Sequence, residues 1–401
     1  MLTKVSLQNY KCFENQVFNL SDINLFFGLN GRGKSSVLQA ILLLSQSVSN
    51  KNSLKELIIS SNLLKLGDFD DLRSTNCKYY DSIKFGFETD LENIEKFEFE
   101  YIKKEDKIDR GFLKSFELNG AKSSEELISD SNSTLSIKTV IDNSLNPNST
   151  SSTNYKDDPR ILKIFRSVHY ICADRMGPRL YVDKYGLGDS DKMSNRGENA
   201  INVLTSNTDS LNSKYFIGNS CPKNIIELCQ QWLNYIFNGA NIEINEKGES
   251  VLALKINPKN DKNYYKSVNV GFGYSYILSI IVTCLIAKED DIVIFENPEA
   301  HLHPKAQSRL THLFARLALN KVQLFIESHS EHILNGLRVA VADSQNVISK
   351  EMISSYFFDE DFNIEKLEID ENGFVSNWPK DFFDQIDIDN SLIFNYSRIT
   401  R

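Results

Sequence analysis

The chain has 401 residues, of which 41% are hydrophobic, and its formal net charge at pH 7 is −9. This length accommodates two or three domains, or one large domain with an insertion, and the composition supports a proper hydrophobic core. The negative charge excludes a broadly basic surface, so any contact with nucleic acid would require a local groove or a partner protein.

The cysteines and the N-terminus indicate the compartment. The six cysteines include no Cys-x-x-Cys pair, and most have apolar neighbours, which is typical of reduced, buried thiols. The N-terminus lacks the long apolar core of a signal peptide, and the apolar run Tyr276–Ala287 is too short to span a bilayer. We therefore expect a cytoplasmic protein with no membrane association.

The first elements surround a glycine-rich loop. Residues 2–20 alternate apolar and polar side chains around a polar stretch, which predicts a hairpin. The apolar run Ile23–Phe27 predicts a buried strand, and Ser35–Val48 predicts a buried helix. Between them, Gly28–Ser36 reads Gly-Leu-Asn-Gly-Arg-Gly-Lys-Ser-Ser and fits the pattern Gly-x-x-x-x-Gly-Lys-Ser. Because strand, loop and helix follow in the right order, we predict a nucleotide site.

The chemistry of this loop suits phosphate. Glycines at bent positions let many backbone N–H groups approach a charged polyphosphate. Lys34 adds a mobile positive charge, and the Ser35 hydroxyl at the start of the helix can bind Mg²⁺. The expected nucleotide-binding residues of the loop are Asn30, Gly31, Gly33, Lys34, Ser35 and Ser36.

Composition and pattern predict three regions in the rest of the chain. Alternating runs such as those at 83–88 and 97–101 predict antiparallel strands with one solvated face, so residues 1–128 form a β lobe around the loop. Residues 129–266 are predicted as an insertion or arm region with two mobile polar loops, Ser129–Asp158 and Gly186–Glu198. Within it, Ser167–Ala173 predicts a buried strand, Ile225–Phe237 a helix, and Ile242–Ile256 a hairpin turning at Lys247-Gly248.

The third predicted region, residues 267–401, contains a second glycine loop and an acid-ended strand. Val268-Asn-Val-Gly-Phe-Gly-Tyr-Ser-Tyr leads into an apolar helix that ends near Ala287. The apolar residues Ile292–Phe295 precede Glu296-Asn-Pro-Glu-Ala-His-Leu-His-Pro, and a carboxylate at the end of a strand can hold Mg²⁺ through water. A helix over Lys305–Leu319 and a strand over Val322–Ile326 follow, and this alternation predicts a parallel sheet.

These segments, taken together, resemble the ABC-type ATPase heads of the overcoming-lysogenisation-defect (OLD), RecF and SMC relatives. The chain is most similar to ATPase subunits of bacterial antiphage defence systems such as Septu, the Septu-like retron modules and PARIS. The segments that carry this likeness are Phe295-Glu-Asn-Pro-Glu-Ala-His-Leu-His-Pro-Lys-Ala-Gln-Ser, Ser328-His-Ser-Glu-His-Ile-Leu and Trp378-Pro-Lys-Asp-Phe-Phe-Asp. The resemblance implies an α/β fold: a P-loop NTPase head of the ABC type with a mixed sheet, an antiparallel N-terminal β lobe and an inserted polar and helical arm.

The resemblance also implies the chemistry. In such heads two subunits sandwich ATP and Mg²⁺, and the signature loop of one subunit completes the phosphate site of the other. By motif, Gly271, Gly273 and Ser275 would be the signature residues acting in trans, and His329 the histidine near the γ-phosphate. Glu296 would be the acid on the Mg²⁺ side and Lys34 the phosphate-binding lysine.

Two departures from the motif affect catalysis. The position of the usual catalytic glutamate is occupied by Asn297, which cannot accept a proton at neutral pH. Either Glu299 supplies the base, or hydrolysis is slow and favours a long-lived ATP-bound dimer. The signature loop also departs from Ser-Gly-Gly-Gln, which leaves open which side chain touches the γ-phosphate.

Three functions are compatible with these residues. The first is a slowly hydrolysing ATPase that dimerises on ATP and serves as sensor or scaffold for a separate nuclease or toxin. For this function the resemblance implies assemblies up to hexamers of head dimers. Residues 364–401 leave no room for the acidic Toprim nuclease module of OLD proteins. The alternative is a RecF-like repair ATPase that clamps DNA directly, which the charge of −9 does not favour. The third is a non-catalytic, nucleotide-dependent scaffold.

Several side chains have a structural interpretation beside the functional one. His301 and His303 have the spacing of a zinc pair, but subunit contact or helix capping is favoured. Asp174, Arg175 and Arg179 form either a functional patch or an ordinary ion-paired turn. Phe382 and Phe383 are interpreted as packing or docking anchors.

Overall fold

The structure is a computed structural model that describes residues 1–75, 82–104, 107–124, 158–184, 192–207, 209, 211–218, 220–259, 261–343 and 348–399. The predicted mobile loop Ser129–Asp158, apart from Asp158, and the first part of Gly186–Glu198 lie outside these residues. Among the described helices, none has the length and apolar character needed to cross a bilayer.

The described strands are β1 Leu2–Tyr10, β2 Phe13–Asn19, β3 Ile23–Gly28, β4 Glu56–Ile58, β5 Ser82–Leu91, β6 Ile94–Lys104, β7 Lys107–Leu118, β8 Ala121–Ser124, β9 Val168–Ile171, β10 Val182–Asp183, β11 Asn241–Glu246, β12 Val251–Asn257, β13 Tyr265–Lys266, β14 Ile292–Glu296, β15 Gln323–Glu327, β16 Ile353–Phe358 and β17 Ile364–Leu367. The described α-helices are α1 Lys34–Lys51, α2 Pro159–Arg166, α3 Ala200–Ser206, α4 Ile225–Phe237, α5 Phe272–Ile286, α6 Pro304–Leu319, α7 Glu331–Ala342 and α8 Gln385–Ile399.

One compact unit comprises residues 1–21, 35–168 and 290–292 and contains an antiparallel sheet. Its strand order is β2-β1-β5-β6-β7-β4, with β8 paired to β7, and every neighbouring pair is antiparallel. Alternation sends Phe85, Phe97 and Phe99 into the core. On the other face, Lys84 and Glu98 form an ion pair at 3.2 Å. The predicted hairpin over residues 2–20 and the one-sided antiparallel strands are therefore confirmed.

Helix α1 belongs to this unit almost entirely and is buried along most of its length. Apolar residues occur on all sides of this helix and no polar face is set apart for solvent, which is why the sequence predicts a buried helix. Its buried polar side chains are satisfied: Gln46 donates to the carbonyl of Ile58 at 2.6 Å, and Ser47 accepts from the Ile58 N–H at 2.8 Å. These bonds attach β4 to the helix.

The second unit comprises residues 22–34, 169–289 and 293–401 and contains a six-stranded mixed sheet. Its order is β17-β16-β3-β15-β14-β9, and β3 is parallel to both β15 and β16. The central strands are mostly apolar because both faces of the sheet are buried. Helix α6 connects β14 to β15 and α7 connects β15 to β16, as expected for parallel crossovers. This order places β15 between the strand that precedes the glycine loop and the acid-ended strand β14.

The same unit contains a smaller sheet and two predicted elements that are confirmed. The sheet has the order β10-β12-β11, with β13 paired to β12. The hairpin of β11 and β12 turns at Gly248, whose φ of 70° explains the glycine. Helix α4 has the predicted bounds, and Asn224 caps it by accepting from the N–H of Glu227.

The C-terminal aromatic pair packs inside the second unit. Phe382 is 1% exposed, and its ring centroid lies 6.0 Å from that of Phe27 and 5.1 Å from that of Phe357. Phe383 contacts Phe27 as well, with ring centroids 5.7 Å apart. The two side chains therefore pack beneath the strand that leads into the glycine loop, and the prediction of packing anchors is confirmed.

Gly28 is held so close to β16 that we expect its replacement by alanine to destabilise the fold. Its φ is 123°, and a Cβ would lie 2.1 Å from the Phe358 carbonyl oxygen. The resulting strain and clash should cost about 2 kcal/mol or more. Gly31→Ala is the matched control, since Gly31 has a φ of 74° but nothing within 4 Å of a Cβ. Thermal unfolding should show the larger loss for Gly28→Ala, and equal melting temperatures would contradict this prediction.

Candidate functional site

The glycine loop leaves β3 at its carboxyl end. Gly28, Gly31 and Gly33 all have positive φ, of 123°, 74° and 105°, so the bends that the loop pattern requires are present. The N–H of Leu29 donates to the Phe358 carbonyl at 3.1 Å and attaches the loop to β16. Lys34 begins α1, so Ser35 and Ser36 occupy the first turn of that helix. The loop thus has the backbone form that presents N–H groups to an anion.

Lys34 is the buried cation of this loop. Its side chain is 2% exposed, and Nζ donates to the carbonyls of Gly28 at 2.9 Å and Leu29 at 2.8 Å. Nζ also lies 4.0 Å from Oε1 of Glu327. Burial lowers the pKa of Lys34, and the charge of Glu327 opposes that shift.

Glu296 ends β14, and its carboxylate is oriented from β9. Oε2 of Glu296 accepts from the N–H of Ala173 at 3.1 Å, and the Tyr170 hydroxyl also donates to this carboxylate. The side chain remains partly exposed. The acid is therefore fixed in direction but still accessible, as a ligand for a hydrated metal ion should be.

A short path of contacts joins the lysine to the acid-ended strand. Glu327 lies at the end of β15, and its carbonyl accepts from the N–H of Asn297 at 2.8 Å. Asn297 directly follows Glu296, and its φ of 46° marks a sharp turn out of the strand. The structure thus brings Lys34 and Glu296 to one edge of the sheet, with Glu327 between them.

Glu299 holds the turn that bears His329. Its Oε1 accepts from the N–H of His329 at 2.7 Å, and its Oε2 accepts from the Ser328 hydroxyl at 2.9 Å. Burial raises the pKa of Glu299, and these hydrogen bonds oppose the shift. Burial and, second, the charge of Lys34 lower the pKa of His329, which favours a neutral imidazole at pH 7.

Because both oxygens of Glu299 accept hydrogen bonds, we expect Glu299→Gln to impair turnover more than nucleotide binding. The amide of glutamine replaces one of the two acceptor oxygens with an NH₂ group, which would face a second donor. The His329 turn should therefore shift, and turnover should fall about tenfold or more. Ser328→Ala, which removes only one of the two bonds, should have a smaller effect. Turnover assays and titration with a fluorescent ATP analogue would measure the two effects. Equal losses of binding and turnover would contradict this assignment.

The second glycine loop begins α5 and packs on the segment after β14. A Cβ on Gly273 would lie 2.5 Å from the carbonyl oxygen of His301, so only glycine allows this approach. The ring of Tyr276 packs edge-on against His301, with centroids 4.6 Å apart. Gly271 is exposed at the helix start, whereas Oγ of Ser275 is buried and receives no hydrogen bond from any described residue.

The two histidines after β14 have structural contacts. The side chain of His303 caps α6 by accepting from the N–H of Lys305 at 3.3 Å, so helix capping is confirmed. Within the described parts of the chain, no three His, Cys, Asp or Glu side chains cluster as a metal site. One carboxylate, Glu296, together with phosphate and water oxygens suits Mg²⁺, which binds few protein ligands and keeps much of its hydration shell.

Two features of this site were not predicted from the sequence, and the role of a third residue was left open. Glu327 received no role, although a carboxylate at the end of an apolar strand was the available signal. Arg32 received no role, yet its guanidinium lies 4.6 Å from the ring of Phe362. Arg175 was expected to lie in a functional charged patch or in an ion-paired turn. In the structure it is 2% exposed and donates hydrogen bonds to carbonyl groups.

A phosphate loop after a central parallel strand, an acid-ended strand two positions away and a histidine turn after the strand between them define an ABC-type P-loop ATPase head. A family model described as "AAA domain, putative AbiEii toxin, Type IV TA system" matches residues 23–335, and the chain belongs to this family. A second model, described as "Protein of unknown function (DUF3696)", matches residues 348–391. Comparison with curated proteins gave no match.

Solved structures of SMC heads have a similar fold. An SMC head bound to the C-winged helix domain of ScpA is 12% identical, with a TM-score of 0.51 over 92% of this chain and 98% of that one. The SMC head domain from Thermotoga maritima is 12% identical, with a TM-score of 0.43 over 92% and 99% of the two chains. An SMC head from Pyrococcus furiosus, bound to the C-terminal domain of ScpA, is 11% identical, with a TM-score of 0.46 over 92% and 96%.

Proposed function

We propose that the protein binds ATP with Mg²⁺, dimerises across the nucleotide and acts as the sensor or scaffold of an antiphage defence complex that controls a separate nuclease or toxin. The proposal of ATP and Mg²⁺ binding is supported by the path of contacts from Lys34 through Glu327 to Asn297 and Glu296. It gathers a phosphate-binding cation and a metal-binding acid at the carboxyl ends of parallel strands, where ligands of such sheets bind.

Each residue of the site has a proposed role. Lys34 binds the phosphates with the backbone of Asn30, Gly31 and Gly33 and the helix start at Ser36. Ser35 and Glu296 hold Mg²⁺, which would neutralise charge on the phosphate oxygens. His329, whose pKa is lowered by burial and by the charge of Lys34, contacts the γ-phosphate. In the dimer, Gly271, Gly273 and Ser275 complete the site of the other subunit.

We propose that hydrolysis is slow and that Glu299 is a positioning residue. Asn297 stands where a base is needed, and an amide does not accept a proton at pH 7. Both oxygens of Glu299 are engaged by the His329 turn, so its carboxylate orients that turn. A slow step keeps the ATP-bound dimer closed for long periods, which suits a sensor.

The assignment to defence rests on the family. The description of the matching model combines an AAA domain with the words "putative AbiEii toxin, Type IV TA system", which supports an association with a toxic effector.

Co-purification tests this function directly. The protein would be expressed with its genomic neighbours and isolated with ATP and Mg²⁺, beside the Lys34→Met variant. We expect an ATP-dependent dimer or larger assembly that retains a nuclease or toxin. A lone dimer with salt-sensitive affinity for DNA would instead support direct DNA clamping by a repair ATPase.

A further inference from the structure

The side chain of Arg175 joins two parts of the second unit that serve different nucleotides in the proposed dimer. Arg175 lies just after β9 and is 2% exposed. Its guanidinium donates to the carbonyl of Glu296 at 2.9 Å and to that of Asn297 at 2.6 Å. A third bond reaches the carbonyl of Cys172 at 3.3 Å. The exit of the acid-ended strand is therefore held through its backbone by one planar cation.

The face of the same guanidinium contacts the signature helix. Its central carbon lies 5.3 Å from the ring centroid of Tyr276, in the first turns of α5. Tyr276 packs against His301, whose backbone carbonyl approaches Gly273. The α5 start is thus in contact with the segment after β14 on two sides, through Arg175 and through His301.

Only arginine fits both contacts at once. Its rigid fork can donate to several carbonyls in one plane while its face covers an aromatic ring, whereas a lysine is a point charge with no face. Burying a cation is costly and lowers the pKa of Arg175, and the carbonyl groups and the carboxylates of Glu299 and Glu296 oppose that effect. A buried cation that contacts both segments can transmit a shift of one segment to the other.

We propose that Arg175 is a positioning residue that couples the nucleotide site of its own subunit to the exposed start of α5, which completes the site of the neighbouring subunit. The inference rests on the proposed ATP-dependent dimer. Nucleotide binding would fix the position of Glu296 and Asn297. Arg175 would then fix the position of Tyr276 and, with it, the start of α5 at Gly271. Each subunit then offers a well-formed signature loop only when its own nucleotide is bound.

A double-mutant cycle on Arg175→Lys and Tyr276→Leu tests this coupling. Two quantities would be measured for each variant: the affinity of the dilute, monomeric subunit for a fluorescent ATP analogue, and ATP-induced dimerisation by sedimentation. We expect each single variant to weaken dimerisation about tenfold or more. The double variant should dimerise as well as the single variant that is impaired more strongly, because both substitutions break the same coupling. The affinity of the monomer should stay within about threefold of wild type, because Arg175 donates to the backbone carbonyls of Glu296 and Asn297 and not to the groups proposed to bind phosphate and Mg²⁺.

The exposed Arg179 provides a matched control, since Arg179→Lys makes the same exchange four residues away and should dimerise normally. Thermal unfolding would verify that each variant folds. Additive effects in the double variant, or a loss of monomer affinity equal to the loss of dimerisation, would overturn the coupling alone. A wild-type protein that fails to dimerise with ATP would overturn the proposed function and the coupling with it.

Discussion

Replacing Asn297 with glutamate is expected to raise the rate of ATP hydrolysis about tenfold or more, since a positioned general base typically contributes about 10²- to 10⁴-fold. Asn297 directly follows Glu296, the proposed acid on the Mg²⁺ side, and its N–H is fixed by the carbonyl of Glu327 at 2.8 Å. Its Oδ1 is buried, and no described residue donates a hydrogen bond to it. A glutamate at this position would extend from a fixed backbone at the edge of the proposed nucleotide site.

The backbone conformation of residue 297 limits the increase in hydrolysis rate that Asn297→Glu can give. The φ of 46° at Asn297 is easily adopted by asparagine, whereas glutamate pays about 1 kcal/mol for it. Asn297→Gln is the matched control, because it has the same length and the same backbone cost but no base. We expect the glutamine variant to stay at or below wild-type turnover in a phosphate-release assay.

The lifetime of the closed dimer gives a second readout of the same substitution. If slow hydrolysis keeps the wild-type dimer closed, Asn297→Glu should shorten its lifetime in proportion to its faster turnover. Unchanged turnover in Asn297→Glu, with normal ATP binding, would show that the base is supplied elsewhere and that Asn297 is not the limiting residue.

The elements of the nucleotide site were predictable because each has a strong local signal. The apolar run at 23–27 became β3, and the predicted helix Ser35–Val48 became α1 Lys34–Lys51. The acid-ended strand became β14, and the strand predicted at Val322–Ile326 became β15 Gln323–Glu327, shifted by one residue. Buried parallel strands read as unbroken apolar runs, and proline and glycine mark their ends.

Contacts between distant segments were not predictable. Nothing in the sequence tells that β15 lies between β3 and β14, and only that order brings Glu327 to within 4.0 Å of Lys34. Arg175 has polar neighbours along the chain, so its burial depends on carbonyl groups more than a hundred residues away. Sequence patterns report the partners of a residue only when those partners are close along the chain.

Replacing Lys34 with methionine is expected to weaken ATP binding about 100-fold, because charge-assisted hydrogen bonds are worth up to about 3 kcal/mol. Methionine keeps the apolar length of the side chain and removes the cation that lies among the carbonyls of Gly28 and Leu29. Turnover should fall to the background of the assay. Isothermal titration with ATP and Mg²⁺ would measure the affinity.

The single variant has a second effect that must be separated from the first. Removing the cation 4.0 Å from the buried carboxylate of Glu327 also destabilises the folded chain, since a buried charge loses its compensation. The double variant Lys34→Met/Glu327→Gln removes both charges, so we expect its melting temperature to recover toward wild type. Its affinity for ATP should remain as low as that of the single variant, because the group that binds phosphate is still missing. Recovery of ATP binding in the double variant would mean that Lys34 only neutralises Glu327, and the phosphate-binding role of the loop would then have to rest on its backbone N–H groups alone.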